Sequence, residues 1–150
     1  MKISALFRIL FVATFVGTAV ALSAATSEPA PKYGCELLTA YVPMAKALAA
    51  DDLATARRAS NELARLAEAD GMTGIVALAR EFAGAADLTG ARTVFRGLSE
   101  EIEPLTVTEK KVTVMYCPMA RAVWVQPTGP VENPYFGAAM LRCGAPKSEK

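Results

Sequence analysis

Between Cys35 and Ile102 apolar side chains recur at every third or fourth position in an alanine-rich stretch, the spacing of amphipathic helices joined by short turns. The first predicted helix, Cys35 to Ala50, brings Leu37, Leu38, Tyr41, Met44, Ala45 and Leu48 to one side, and Pro43 is expected to bend or loosen it. Asp51 and Asp52 offer an N-cap for a second helix reaching about Ala69, with Leu53, Ala56, Ser60, Leu63 and Leu66 or Ala67 inward. A third, from Thr73 to about Ala86, presents Ile75, Leu78, Ala79 and Phe82. A fourth, capped by Asp87 or Thr89 and ended by Pro104, steps through Leu88, Ala91, Phe95, Leu98 and Ile102. Connections this short force neighbouring helices antiparallel, which predicts an up-and-down four-helix bundle.

After Pro104 the period changes. Lys111 to Cys117 alternates, with Val112, Val114 and Tyr116 on one face and Thr113, Met115 and Cys117 on the other; Ala122 to Gln126, containing Trp124, reads as a second strand. A hairpin through Pro118 to Arg121 joins them, and because two strands alone are marginal it must lie against the bundle or the tail. Asn133 as N-cap, Pro134 at the first helical position and Gly144 beyond the end then predict a short C-terminal helix to about Arg142, with Met140 and Cys143 on one face. The fold class is mostly α, of the α+β kind.

Ahead of the bundle, Lys2 and Arg8 precede and open an apolar run up to Leu22, followed by the small residues Ser23-Ala24-Ala25. This predicts a signal peptide over residues 1–25, a flexible leader over 26–32, one domain over 33–145 and a tail over 146–150. The apolar run is short and interrupted by Thr14, Gly17 and Thr18, which makes a retained membrane anchor the weaker reading. Cleavage leaves 14 basic against 15 acidic side chains, so no electrostatic case for nucleic acid survives. The expected location is periplasmic or secreted, with no membrane association after cleavage.

The chain has no histidine. That removes the usual general base and every histidine-dependent triad and metal motif. Neither Asp51-Asp52 nor Glu100-Glu101 forms a local carboxylate dyad, because adjacent helical residues diverge by roughly 100°. There is no phosphate-cradling glycine loop, no Gly-x-Ser-x-Gly turn and no Cys-x-x-Cys pair. No enzyme is indicated. Three cysteines and six methionines remain, and two sulfur pairs stand out: Cys117 with Met119 around the stiff Pro118, and Met140 with Cys143. Two thiolates and two thioethers form a soft donor set that suits Cu(I), whereas zinc finds only two thiolates and no imidazole.

The residues Tyr116-Cys117-Pro118-Met119-Ala120, then Trp124, Asn133-Pro134-Tyr135-Phe136-Gly137, Met140-Leu141 and Cys143-Gly144 together resemble the signature of the domain of unknown function 3347 family. Tyr41, Asp52, Arg92, Phe95, Leu98 and Ser99 also fall where its helical part has similar residues. That family occurs in exported bacterial proteins and as an extension of Cus-type copper efflux adaptors. The resemblance therefore implies heavy-metal handling, with an efflux adaptor or another periplasmic copper protein as partner. The chain departs from the pattern in the short link between Met119 and Trp124, in Pro43 and in Cys35.

Three states are open to Cys117 and Cys143: copper ligands, inert buried thiols, or a disulfide worth about 3.5 kcal/mol in the chain-entropy view. Met119 and Met140 are ligands or core filler; Met44, Met72 and Met115 read as core or surface filler, and Cys35 as a free thiol. Trp124, Tyr116, Tyr135 and Phe136 read as packing, with Trp124 a neighbour of the site, and Asn133, Pro134, Gly137 and Gly144 as backbone punctuation. A redox role for the cysteines is disfavoured, because no flanking charge or histidine lowers a thiol pKa. The expected function is an exported Cu(I)-binding protein for capture, delivery or tolerance, with Cys117, Met119, Met140 and Cys143 as ligands. The alternative is a periplasmic protein-interaction module of a heavy-metal efflux system with a structural Cys117–Cys143 disulfide.

Overall fold

Four helices form where the apolar spacing places them: α1 Gly34–Ala49, α2 Leu53–Ala69, α3 Thr73–Gly84 and α4 Leu88–Ile102. A computed structural model describes residues 34–148. The predicted signal peptide, the leader and the side chain of Cys35 lie outside the described residues. Caps act as the sequence indicates: the Asp52 carboxylate accepts from the Thr55 amide at 2.9 Å and that of Asp87 from Gly90 at 2.8 Å. Pro43 lies inside α1 without ending it. Its position is exposed, so the carbonyl it leaves without an intrahelical donor can turn to water.

Small residues set the packing distance. Ala56, Ala64, Ala67, Ala79 and Ala91 are buried, so the helix backbones approach closely around Leu37, Leu63, Phe82 and Phe95. Ser60, also buried, donates to the Ala79 carbonyl at 2.7 Å and ties α2 to α3. None of the described helices is long and apolar enough to cross a membrane.

A three-stranded antiparallel sheet follows, in the order β2-β1-β3, from β1 Val112–Cys117, β2 Ala122–Pro127 and β3 Ala145–Pro146. The hairpin register pairs Met115 with Trp124 and Cys117 with Ala122. Met115, Cys117, Ala122 and Trp124 are all buried, while Tyr116 between them is 40% exposed, as the alternation predicts. β3 continues the sheet past the predicted domain boundary, and the Lys147 amide still donates to Val114 at 2.9 Å. Two residues of strand carry no readable period, which is why only a hairpin was expected.

Among the described residues the other side of β2 has no strand partner, and β2 contacts both α1 and α4. Side chains close that edge. The Val125 amide donates to the Tyr41 hydroxyl at 3.3 Å, and Tyr41 lies 2.7 Å from Ser99 Oγ. Ser99 in turn lies 3.3 Å from the Tyr135 hydroxyl, which donates to the Val123 carbonyl. Each hydroxyl has one proton. Ser99 gives its proton to the Phe95 carbonyl at 2.9 Å, so it accepts from Tyr41 and from Tyr135, whose single proton is shared between Ser99 and the Val123 carbonyl. The rings run the same way: Tyr41 stacks on Phe95 at 5.3 Å, Phe95 meets Tyr135 at 5.6 Å, and Tyr135 meets Trp124 edge-on at 6.1 Å. Burial raises the pKa of both tyrosines above the ordinary phenol value, so they remain neutral donors.

Ser99→Ala interrupts this relay and leaves buried phenols short of partners; it is expected to lower stability by about 1–3 kcal/mol, read from the denaturation midpoint at unchanged helical content.

Candidate functional site

Cys117 closes β1 at the point where the chain reverses through Pro118 to Arg121, the last of these in the left-handed region at φ 52°. The tight reversal folds the following amides back toward the cysteine. Ala120 N–H donates to Cys117 Sγ at 3.4 Å, and the Met119 amide also faces it. The sulfur thus sits in a small nest of backbone donors. Cys143 arrives from the other end of the motif, and the two Sγ atoms lie 3.4 Å apart. That is well beyond a disulfide bond of about 2.0 Å. In this structure the two sulfurs are not bonded to each other, with Cys117 fully buried and Cys143 half-buried.

The segment that delivers Cys143 is not the α-helix predicted for Asn133 to Arg142. It is a turn followed by a single 3-10 helix, Gly137–Met140. Three tertiary contacts explain the difference. Arg92 on α4 donates to the Pro134 carbonyl at 2.8 Å, taking an acceptor that a continuing helix would use. Gly137 adopts φ 54°, and a Cβ there would fall 2.0 Å from an Asp51 carboxylate oxygen. The other Asp51 oxygen accepts from the Ala138 amide at 3.0 Å. Arg92 also donates to Asp51 at 2.5 Å and to the Leu48 carbonyl at 2.9 Å, so one guanidinium joins α1, α4 and the C-terminal segment. Met140 and Cys143 are therefore linked by a turn, with the Cys143 amide donating to the Met140 carbonyl at 2.9 Å, and do not share an α-helical face.

Asn133 was expected only to punctuate the backbone, but its side chain belongs to the site. Fully buried, it accepts from the Tyr135 amide at 2.8 Å and donates to the Cys143 carbonyl at 2.6 Å. Its amide also faces Cys117. The signal available in the sequence was Asn before Pro, which marks an Asx turn but not the direction of its NH2 group. Gly144 then turns the chain into β3 at φ 139°, where a Cβ would meet the Trp124 ring at 2.5 Å.

These contacts give the two thiols different acidities. Burial works to raise the Cys117 pKa but is outweighed by the Ala120 amide, the Cys143 thiol, Asn133 and the Met119 amide, and the net direction is downward. Cys143 moves upward, chiefly because its S–H donates to Cys117. The first proton lost by the pair thus leaves a thiolate at Cys117. The groups that lower the Cys117 pKa are neutral hydrogen-bond donors; no charge or histidine is among them.

Met119 is 65% exposed and Met140 36% exposed, so neither thioether fills the core; Met44 and Met115 do. No group of three or more His, Cys, Asp or Glu side chains that could hold a metal occurs among the described residues. A metal at the cysteine pair would complete its shell with other soft donors. Metal–sulfur bonds of about 2.3 Å hold two thiolates about 3.8 Å apart at a tetrahedral angle and about 4.6 Å apart in a linear arrangement. The observed separation is nearer the bent case; the structure brings the two cysteines together, and among the described residues it records no contact between either of them and the thioether of Met119 or Met140. Comparison with protein-family models, with curated proteins and with solved structures gives no match to this chain.

Two outcomes test this geometry. In a Cys35→Ser background, Cys143→Ala is expected to move thiolate formation at Cys117 to higher pH, read from ultraviolet thiolate absorbance; an unchanged titration would remove the Cys143 thiol as the donor. Asp51→Asn is expected to destabilise the fold by about 1 kcal/mol near neutral pH, discounted for partial exposure. The Ala138 amide and Arg92 hold the Asp51 carboxyl below its ordinary pKa. Its stabilisation is therefore present above the unfolded value and lost as pH falls through the folded one. The variant and wild type should converge there in denaturation experiments.

Proposed function

We propose that this chain is an exported, non-enzymatic Cu(I)-binding protein in which Cys117 and Cys143 are the principal ligands and Met119 and Met140 supply thioethers. One observation carries the reading: two unbonded cysteine sulfurs lie 3.4 Å apart at the turn end of the β1–β2 hairpin, with an exposed methionine two or three positions from each in sequence. Soft donors select a soft monovalent ion. The resemblance of the two sulfur-bearing stretches to the domain of unknown function 3347 family supports the same assignment. It also supports periplasmic copper handling, with an efflux adaptor or another periplasmic copper protein as partner. Delivery to such a partner would suit thioethers that are exposed and a thiol that is half-buried, because an incoming ligand can displace the outer donors first.

A second reading is favoured by the same proximity. The cysteines are 26 positions apart in sequence, and oxidation would tie β1 to the C-terminal segment, leaving the helical bundle to dock a partner of the efflux system.

An anaerobic Cu(I) titration of the exported, reduced protein against a chromophoric Cu(I) chelator tests the first reading. Tight one-to-one uptake is expected, weakened at least tenfold in Met119→Leu or Met140→Leu and abolished in Cys117→Ser/Cys143→Ser. A double serine variant that competes like wild type would sink the ligand assignment. Failure of the reduced wild type to compete, with both cysteines blocked in protein isolated under native conditions, would favour the docking module.

A further inference from the structure

The two sulfurs differ in how they can be reached. Cys117 Sγ is enclosed by its own turn and by the strand pair, and the residue is 0% exposed. Cys143 lines an open groove together with Pro104, Val107, Tyr116, Pro118 and Lys147. An external sulfur approaching through that groove meets Cys143 first, with Cys117 behind it at 3.4 Å. Thiol–disulfide exchange proceeds through attack on one sulfur and departure of the other, and both access and the character of the leaving group decide which is attacked. The groups that would receive a departing thiolate are already in place at Cys117: the Ala120 amide at 3.4 Å and the Asn133 side chain, which also holds the Cys143 carbonyl at 2.6 Å. Arg92, Asp51 and Gly137 anchor the segment carrying Asn133, so these donors do not depend on the redox state of the pair.

We infer that the Cys117–Cys143 pair is a thiol–disulfide exchange site of fixed polarity, in which an external dithiol reductant engages only Cys143 from the groove and Cys117 acts only as the internal partner. In the reducing direction a thiolate of the dithiol attacks Cys143 Sγ. The Cys117–Cys143 bond breaks, its electron pair stays on Cys117, and a mixed disulfide joins Cys143 to the reductant. The reductant's second thiolate then attacks its own sulfur in that mixed bond and closes the reductant's disulfide. Cys143 is released as a thiolate. Two electrons and two protons pass in total from the dithiol to the pair. The reverse path, with a disulfide donor attacked by Cys143 and resolved by Cys117, oxidises it. The polarity stands on the geometry alone. Its consequence for metal, that an oxidised pair must be reduced before it can load, rests on the copper reading above.

The test uses glutathione as a monothiol probe, which cannot resolve its own mixed disulfide, and dithiothreitol as the dithiol. Wild-type protein with the pair oxidised is exposed briefly to glutathione, quenched with acid and mapped by peptide mass spectrometry. Glutathione is expected on Cys143 with Cys117 free, in about tenfold or greater excess over the opposite adduct. Dithiothreitol should release both thiols without an accumulating adduct. In a Cys35→Ser background, Cys117→Ser protein should react with a chromogenic aromatic disulfide about tenfold or more faster than Cys143→Ser protein. Adducts mainly on Cys117, an even split, equal rates in the two variants, or a pair that never oxidises would each overturn the inference. The mapping is made without metal. A failed copper titration with selective modification of Cys143 would therefore overturn the proposed function and leave the exchange site standing.

Discussion

β2 ends the sheet on the side that faces the helices, and the backbone groups of that edge have no strand to bond. A buried amide or carbonyl without a partner costs more than any single packing contact in this small domain returns. The Tyr41, Ser99 and Tyr135 hydroxyls meet that requirement by carrying one line of hydrogen bonds from the Val125 amide to the Val123 carbonyl. The three residues come from α1, α4 and the C-terminal segment. The edge can therefore be satisfied only when all three are in position, and the aromatic rings that bring the hydroxyls there also fill the space between bundle and sheet. This one constraint makes the hairpin part of the domain.

The sulfur pair inherits its geometry from that arrangement. β1 is held by β2, and β2 by the relay, so Cys117 has a fixed position before Cys143 is considered. Cys143 is fixed from the opposite direction by Asn133, whose segment is clamped by Arg92 and Asp51 against the turn between α1 and α2. Two tethers that share the C-terminal segment converge on a 3.4 Å separation. Neither passes through a covalent bond between the cysteines, so the pair can gain or lose a bond or a ligand while its surroundings stay in place.

The helices and the hairpin were legible in the sequence because each leaves a local period: the apolar recurrence of α4, the alternation from Val112 to Cys117, and the cap at Asp52. The identities of the sulfur residues were legible as well. What was not legible is written between distant positions. Tyr41 and Ser99 are 58 residues apart and Arg92 is 42 from Pro134, and no spacing rule announces such contacts. Asn133-Pro134 followed by Gly144 carried every local mark of a capped helix. Tertiary bonds to Pro134 and Ala138, with Gly137 in a left-handed conformation, turned most of it into irregular structure. The acidity of Cys117 was missed for a related reason. It arises from amide directions set by a turn and from a carboxamide sixteen residues on, not from residue types that the sequence would flag.

Gly144 follows Cys143 directly and lies so close to the ring of Trp124 that a methyl group could not be inserted between them. Trp124 is the chain's single tryptophan and is sealed from solvent. The protein thus contains its own optical reporter, packed against the residue that follows Cys143 and on the strand whose edge holds the domain together. Changes in the emission of that indole would register events at the cysteines, and a red shift would register loss of the fold, from the same unlabelled sample.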